Sequence, residues 1–381
     1  MERIYLDHAA TTPVHPKAAE AMMPYFTSVY GNPSSTHHFG RESKAALQQS
    51  RKVLAEAVGA SADEIVLTAG GTEADNLAIM GYARRHQHLG RHLITAVTEH
   101  HGVLHACGAL EKEGFRVTYL DVDSEGRISL EELKQALTDE TILVSLMTAN
   151  NETGVLQPVQ EAAALLKEHQ TVFHTDAVQA LGKRRLNVTE LGIDMLAASA
   201  HKFNGPNGTG FLYVRKGIQL DPLLYGGSQE RKRRAGTEST ALAAGMAEAL
   251  RLALENMEQK QLEQERFRHL LLTHLEQGGV EFVVNGHRHE RLSNVLNISF
   301  PGANVEQLLM NLDLEGIAVS SGSACTAGSI EASHVLTAMH GDSERGRSAV
   351  RFSFGLGTTE AHMEQTAAAL LRVLQRMKVL H

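Results

Sequence analysis

The chain has little of several residue types that mark particular protein classes. It has no tryptophan, 5% aromatic residues and only two cysteines, Cys107 and Cys325, among 381 residues. Two cysteines cannot build the disulfide framework of a small secreted protein. No apolar run is long enough to cross a bilayer, and the first residues lack the basic-then-apolar pattern of a signal peptide. We therefore expect a cytoplasmic protein that makes no membrane contact.

Basic charge is not in excess either. The chain carries 36 Lys and Arg against 44 Asp and Glu, a formal net charge of −8, which argues against nucleic acid as a direct partner. The one dense basic run, residues 231–234, is interpreted as a solvated loop or a subunit contact. A content of 43% hydrophobic and 21% charged residues is typical of a soluble globular protein. The length exceeds one ordinary core, so we expect two domains.

Short apolar strands alternate with amphipathic helices from about residue 64 onward. The predicted strands are residues 65–68, 93–97, 117–120, 142–146, 171–175 and 193–198. This alternation predicts an α/β fold with parallel strands, whose ligand sites lie at the carboxyl ends of the strands. The candidate residues just past such ends are Thr72, His100, Asn151, Asp176 and Lys202. A long helix is predicted at 241–275, followed by a smaller α+β domain.

Lys202 follows the apolar run 193–198, with Ser199 and His201 just before it. An amine that forms a Schiff base must lose its proton, and a confined site with a nearby cation lowers its pKa. The hydroxyl and the imidazole can meanwhile hold a phosphate. A lysine after a strand is by itself more often a solvated strand end. Asp176, at the end of another apolar strand, changes this interpretation because it can pair with a protonated pyridine nitrogen, as pyridoxal phosphate requires.

Two further segments carry candidate chemistry. Gly71 and Thr72 join a strand to the next helix, where backbone amides and the threonine hydroxyl can cradle a phosphate. Cys325 lies among the small residues of segment 320–329, which indicates an accessible loop and favours a nucleophile. Cys107 lies among larger apolar neighbours and is interpreted as a buried cysteine without a function.

Three other patterns are interpreted without a ligand. Residues 121–132 have the spacing of an EF-hand loop but follow a strand instead of a helix. The glycines of segment 205–210 precede a strand, so no helix N-terminus is available there for an anion. His100, His101 and His105 lack an acidic third ligand at zincin spacing. We therefore expect no metal site.

Nine short segments match one known family in chain order. They are YLDHAATTP (5–13), GNPSSTH (31–37), GTEADN (71–76), TEH (98–100), NNETG (150–154), DAVQ (176–179), SAHK (199–202), GTE (236–238) and SGSAC (321–325). Over essentially its whole length the chain resembles the pyridoxal-phosphate-dependent cysteine desulfurases of the NifS/IscS type, in the class-V aminotransferase family. The cysteine segment is similar to the branch with a long flexible cysteine loop.

The resemblance implies an aminotransferase-like fold of type I. Its large domain, expected at residues 15–260, holds a mostly parallel seven-stranded sheet and binds pyridoxal phosphate. Its smaller α+β domain, expected at residues 1–14 and 261–381, carries the cysteine loop. The resemblance further implies a homodimer.

The resemblance also assigns residues to the cofactor ring. Lys202 forms the covalent link, Asp176 binds the pyridine nitrogen and Gln179 meets the ring hydroxyl. His100 stacks on the ring, and Asn151 lies close to both cofactor and substrate.

Further residues are assigned to the phosphate and the substrate. The phosphate is expected to be held by Gly71, Thr72, Ser199, His201 and, from a second subunit, Thr237. The substrate carboxylate is expected to contact Asn32 and Arg351, and the planar guanidinium of Arg351 matches carboxylate geometry.

The reaction implied by the resemblance converts L-cysteine to L-alanine. Lys202 moves the α-proton, the Cys325 thiolate attacks the substrate sulfur to give a persulfide, and His100 is the candidate proton acceptor. The sulfur then passes to an acceptor protein for iron–sulfur assembly or tRNA thiolation. Two alternatives stay open: a selenocysteine lyase that uses the same residues, and a non-catalytic scaffold for sulfur-transfer partners, which would require loss of Lys202 or Cys325.

Overall fold

A computed structural model describes residues 3–167, 169, 171–321 and 333–377. Its strands are β1 (Ile4–Tyr5), β2 (Ile65–Thr68), β3 (His92–Ala96), β4 (Arg116–Leu120), β5 (Thr141–Ser145), β6 (Val172–Asp176), β7 (Met195–Ser199), β8 (Gly210–Val214), β9 (Val283–Asn285), β10 (Val295–Ser299), β11 (Ile317–Ala318) and β12 (Ala349–Ser353). Its α-helices are α1 (Pro16–Met22), α2 (Pro24–Thr27), α3 (His38–Val58), α4 (Gly71–His86), α5 (His101–Lys112), α6 (Leu130–Ala136), α7 (Val159–Leu166), α8 (Val188–Leu191), α9 (Thr240–Glu255), α10 (Met257–Gln277), α11 (Val305–Leu314), α12 (His334–His340), α13 (Glu344–Arg347) and α14 (Glu360–Arg376).

A seven-stranded sheet of order β2-β8-β7-β6-β5-β3-β4 organises the larger part of the chain. β8 is antiparallel to both of its neighbours, and the remaining pairs are parallel. Helices cover both faces, which is why the strands are continuous apolar runs. Successive residues of β5 show this, since Leu143 joins one buried cluster and Val144 joins the other. The predicted mostly parallel seven-stranded sheet is confirmed.

A second core lies in the carboxyl-terminal part of the chain. Strand β10 pairs antiparallel with β9 and β12, and the large buried side chains there include Phe300, Phe352 and Phe354. The amino terminus joins this core because β1 pairs parallel with β11. Helix α10 contributes Leu271 and Leu275 to it. The proposed domain limits at residues 14 and 260 remain a prediction, and the second limit falls inside α10.

The prediction of one long helix over residues 241–275 is wrong. Helix α9 ends at Glu255 and α10 begins at Met257, because Asn256 has non-helical angles of φ −127° and ψ 36°. Asparagine favours such positions since its side chain competes for backbone hydrogen bonds. The Lys260 ammonium donates to the carbonyl oxygens of Leu252 and Ala253, which satisfies the end of α9.

Two of the patterns interpreted without a ligand have the expected structural context. Residues 121–132 follow strand β4 and lead into α6, and the glycines of segment 205–210 lead into β8. Among the described residues, no helix combines the length and apolarity needed to span a bilayer.

Candidate active site

The five residues predicted past the strand ends line one cavity of about 410 Å³. Thr72 follows β2, His100 follows β3, Asn151 follows β5, Asp176 ends β6 and Lys202 follows β7. This edge of the sheet is where parallel strands gather ligand-binding side chains. Arg351 of β12 also lines the cavity, so both cores contribute to one site.

The Lys202 amine is held by the amino-terminal segment of the chain. Its Nζ donates to the carbonyl oxygens of Ala9 and Ala10, at 2.6 and 2.8 Å. Burial and the neighbouring Arg351 charge lower the pKa of Lys202 to about 8, against the opposing effect of Asp176. A substantial fraction of the amine is therefore neutral near physiological pH, as covalent bonding to a carbonyl group requires.

Asp176 and His100 lie at the same end of the cavity. Asp176 Oδ1 accepts a hydrogen bond from the Val178 amide at 2.8 Å. Burial raises the pKa of Asp176, and the charge of His100 opposes that effect. The His100 Nδ1 accepts from the Gly102 amide at 3.0 Å. Because desolvation also lowers the pKa of His100, we assign a neutral ring that carries its hydrogen on Nε2.

The start of α4 forms another part of the cavity wall. Gly70 precedes the helix and supplies no side-chain cap, so first-turn amides remain available to an anion. Gly71 must be glycine, since a Cβ there would approach Val178 Cγ2 to 2.6 Å. Four predicted phosphate ligands line the cavity: Gly71, Thr72, Ser199 and His201. Desolvation lowers the pKa of His201 to about 4, so its ring is neutral and binds through hydrogen bonds.

Arg351 is almost fully buried, with 4% of its surface exposed. Its Nη1 donates to the Asn151 carbonyl and its Nη2 to Asp7 Oδ1, both at 2.9 Å. Its Nε has no hydrogen-bond partner. Asn151 is fixed by the turn around Asn150, whose side-chain oxygen accepts from the amides of residues 152 and 153. A buried guanidinium that lines a cavity is suited to an anionic ligand group.

Gln179 is held in place from two sides. Its Nε2 donates to the Ala9 carbonyl at 2.9 Å, and its Oε1 accepts from Lys183 Nζ at 3.2 Å. The second hydrogen on Nε2 can therefore reach a ligand oxygen in the cavity. Desolvation lowers the pKa of Lys183 to about 7, with the charge of Lys202 as a second cause.

Two of the predicted site residues that the structure describes, Asn32 and Thr237, do not line this cavity. Asn32 is exposed, and its Oδ1 accepts from the Ser34 amide at 2.9 Å. Thr237 is also exposed. Cys325 lies outside the described residues. The described residues on either side of that segment, Ser320 and His334, both line the cavity.

The structure supports the interpretation of Cys107 as a buried, inert cysteine. It is 1% exposed, and burial raises the pKa of its thiol to about 12. The rings of His101 and His105 stack with their centroids 5.2 Å apart. Neither belongs to a cluster of three metal-donor side chains; in the described parts of the chain such a cluster is formed by Asp75, His100 and Asp176, at the cofactor end of the cavity.

Sequence reasoning gave no role to several residues that shape the cavity. Asp75 and Glu152 lie in motifs that were matched to the family, yet their side chains were not singled out. Burial raises the pKa of Glu152 to about 7, and the Ser333 hydroxyl donates to its carboxylate. No sequence pattern points to Lys183, because its importance comes from its contact with Gln179.

The chain matches the aminotransferase class-V family over residues 4–365. This chain belongs to the class-V aminotransferases. It is 52% identical over 378 residues to a putative cysteine desulfurase, IscS 1, of Bacillus subtilis, which covers 99% of this chain and 100% of that protein. Among solved structures, a NifS-like protein has a TM-score of 0.92 at 34% identity, covering 98% of this chain and 100% of the other. SspA in complex with cysteine has a TM-score of 0.82 at 35% identity, covering 92% and 98%.

Class-V aminotransferases of the cysteine desulfurase type use pyridoxal phosphate, and the residues of this cavity fit that cofactor. A buried carboxylate for the ring nitrogen, an amine of lowered pKa and an uncapped helix start lie around one cavity. The cavity therefore offers a carboxylate to the ring and free amides to the phosphate.

Proposed function

We propose that this class-V aminotransferase is a cysteine desulfurase, which converts L-cysteine to L-alanine and transfers the sulfur to Cys325 as a persulfide. The observation that carries the proposal is the buried guanidinium of Arg351, which lines the same cavity as Lys202 and Asp176. An amino acid substrate needs a carboxylate partner beside the site that handles its amino group. Arg351 supplies that partner.

The chain's own residues have distinct tasks in this reaction. Arg351 binds the substrate carboxylate, while its bonds to Asn151 and Asp7 keep the guanidinium in place. When bound, pyridoxal phosphate supplies an electron sink that makes the α-proton of the substrate acidic. Lys202, with a pKa near 8, removes that proton and returns one to the carbon that becomes the alanine methyl group.

His100 acts on the sulfur side of the same step. In the neutral ring assigned here, Nδ1 is occupied by the Gly102 amide and Nε2 is a donor. His100 therefore stabilises a thiolate by donating to it, and it accepts a thiol proton only when Nδ1 releases Gly102. The hydrogen bonding of the His100 ring differs from that of a simple base. It suits a side chain that exchanges protons with both the substrate sulfur and the Cys325 sulfur.

The sulfur step requires Cys325 as thiolate. A bond forms between the Cys325 sulfur and the substrate sulfur, and the carbon–sulfur bond of the substrate breaks. The electron pair of that bond returns to the carbon skeleton, which takes up a proton and leaves as alanine. The position of Ser320 and His334 at the cavity wall supports this role, because they bracket the segment that contains Cys325.

We further propose a homodimer that works in the cytoplasm and passes its sulfur to an acceptor protein of iron–sulfur assembly or tRNA thiolation. Large apolar side chains exposed near the amino terminus support a second copy as partner: Met23, Phe26, Tyr30 and Phe39 are 47–66% exposed. Their packing is continuous, since the rings of Tyr30 and Phe39 stack at 5.6 Å. Thr237 and Asn32 are proposed to serve a site through this assembly.

Mass spectrometry of the protein after incubation with L-cysteine tests the sulfur transfer. We expect a mass gain of one sulfur on the peptide that contains Cys325, with alanine released in equal amount. The matched control is Cys107, whose raised pKa keeps it protonated and unmodified. Cys325→Ala should retain the cofactor and lose the modification. A persulfide on Cys107, or alanine formed at the normal rate by Cys325→Ala, would reject the proposal.

Mixed dimers test the shared site. One chain carries Thr237→Ala and the other carries Lys202→Ala. If Thr237 serves the neighbouring site, one site of the mixed dimer has both defects and the other has none, so about half of the activity per dimer is restored. Activity no higher than half of that of the Thr237→Ala parent, or a fully active monomer in light scattering, contradicts the shared site.

A further inference from the structure

A second buried carboxyl group lies beside the carboxylate assigned to the ring nitrogen. Asp75, in the first half of α4, is 1% exposed and lines the cavity. Donor atoms of Asp75, His100 and Asp176 all lie within 4.8 Å of one another. The mechanism above gives Asp75 no task. Two acidic side chains this close in a dry site are therefore a feature that needs a physical explanation.

No recorded ion pair with lysine or arginine balances Asp75 among the described residues. The basic group recorded beside it is His174, whose Nε2 lies 3.6 Å from Asp75 Oδ1, too far for a hydrogen bond. Burial lowers the pKa of His174 to about 3, and its Nδ1 is paired with Ser145 Oγ at 2.8 Å, so the ring is neutral. A buried carboxylate without a cation takes up a proton. Burial and the charge of Asp176 raise the pKa of Asp75 accordingly.

A protonated Asp75 is a hydrogen-bond donor, whereas Asp176 must accept. One oxygen of Asp176 already accepts from the Val178 amide, but burial still favours the neutral form of this carboxyl group. An O–H donor aimed at the ionised form favours that form. The last torsion of an aspartate side chain is soft, so a separation within 4.8 Å can close without backbone movement.

We propose that Asp75 is a positioning residue for the desulfurase reaction: its protonated carboxyl group donates a hydrogen bond to Asp176 and keeps that carboxylate ionised and directed at the ring nitrogen of the cofactor. The inference rests on the proposed function, in which Asp176 meets that nitrogen. It deepens that function, because an ionised Asp176 is what maintains the ring as an electron sink.

The other titratable groups facing this pair leave the assignment intact. Glu99, also buried, accepts from the Met147 amide at 2.8 Å, and burial raises its pKa, so it is neutral as well. His100 and Lys202 lie on the cavity side and interact with Asp176. His174 is neutral. The one ionised acid of the cluster is then Asp176, opposite a protonated ring nitrogen.

The test compares Asp75→Asn and Asp75→Leu in the cofactor-loaded protein. Both replacements are close in size to aspartate, but only asparagine keeps a neutral donor. The readouts are the pH midpoint of the visible absorption band of the Lys202-linked cofactor and the cofactor dissociation constant. We expect Asp75→Asn to resemble the original protein. We expect Asp75→Leu to raise the midpoint by about one pH unit and to weaken cofactor binding by about 10- to 100-fold.

The expected rise of the pH midpoint in Asp75→Leu follows from the electronic state of the cofactor ring. With Asp176 less able to hold the proton on the ring nitrogen, the ring withdraws fewer electrons and the Lys202 link binds its own proton more tightly. Equal effects of the asparagine and leucine variants would overturn the inference, because Asp75 would then act as a charge. Unchanged readouts for Asp75→Leu would overturn it too.

Two controls complete the design. The infrared spectrum of the cofactor-free protein at neutral pH should show a protonated carboxylic acid band that loses intensity in Asp75→Asn, while Glu99 continues to contribute to it; an unchanged band overturns the inference even if the leucine variant does not fold. Asp176→Ala is the reference for the cofactor contact. If it leaves the absorption band unchanged, the proposed role of Asp176 fails; if it changes the band while Asp75→Leu does not, only the present inference fails.

Discussion

Replacing Arg351 with alanine should separate substrate binding from cofactor binding. The guanidinium is 4% exposed, and its Nε is the donor without a protein partner. Truncating one member of a buried, hydrogen-bonded charge pair costs about 2–4 kcal/mol, which corresponds to a roughly 30- to 1000-fold rise in KM for L-cysteine. Cofactor affinity should change far less, because the recorded bonds of Arg351 go to Asn151 and Asp7.

Replacing Arg351 with alanine should also change the pKa of Lys202. The charge of Arg351 is the second-largest cause that lowers the pKa of Lys202 to about 8. Without it, the pKa of Lys202 should rise toward the ordinary lysine value. The alkaline pH at which the rate reaches its plateau should therefore rise as well.

The assay compares inhibition by two ligands, L-alanine and ethylamine, and it compares two variants, Arg351→Ala and Arg268→Ala. L-alanine and ethylamine differ by a carboxylate, so Arg351→Ala should weaken inhibition by alanine and leave inhibition by ethylamine unchanged. Arg268 is the matched control: it is 8% exposed and donates to the Val295 carbonyl at 3.1 Å, away from the cavity. Arg268→Ala should lower the melting temperature without changing KM. An unchanged KM in Arg351→Ala, or the same rise in both variants, would refute the reasoning.

Three further outcomes are expected. Lys202→Ala should lose the visible band that borohydride reduces, while Lys183→Met keeps it; a reducible band in the first variant would place the covalent link elsewhere. Because the pKa of Lys183 is about 7 folded and 10.5 unfolded, the unfolded chain binds more protons between these values, so the free energy of unfolding should rise with pH there and rise less in Lys183→Met. Glu230→Gln should cost about 1.5–3 kcal/mol, measured by urea unfolding, because it weakens a buried pair with Arg51, which keeps its second partner Glu238. The partly exposed control Glu248→Gln should cost about 1 kcal/mol or less, and equal losses would contradict the burial argument.

Much of the fold could be predicted because its signals are local. A buried parallel strand is a short continuous apolar run, and the chain ends such runs with chemistry-bearing residues at Asp176 and Lys202. The break at Asn256 was missed because both helices have helical periodicity and the interruption is one residue long. The ammonium of Lys260 that satisfies the end of α9 belongs to the next helix, so no window confined to α9 contains it.

The site was predictable for residues whose chemistry is specific and less so for those that act through neighbours. Lys202 and Asp176 can be identified from the sequence because a Schiff-base amine and a carboxylate for the ring nitrogen are required together. Asp75 and Lys183 become informative when α4 and the turn after β6 bring them against Asp176 and Gln179. Their neighbours lie on other elements, and sequence order alone does not reveal such contacts.

The carbonyl groups that hold the Lys202 amine have a consequence for how the enzyme is made. Ala9 and Ala10 follow β1, which pairs with β11 at Ile317 and Ala318. This part of the site therefore depends on a strand that lies more than three hundred positions later in the chain. Pairing across so long a loop is slow and comes late in folding. In a growing chain in which β11 has not yet been synthesised, the Ala9 and Ala10 carbonyl groups are therefore not yet fixed beside the Lys202 amine. We therefore expect the cofactor to bind after the carboxyl-terminal strands have been synthesised and have folded.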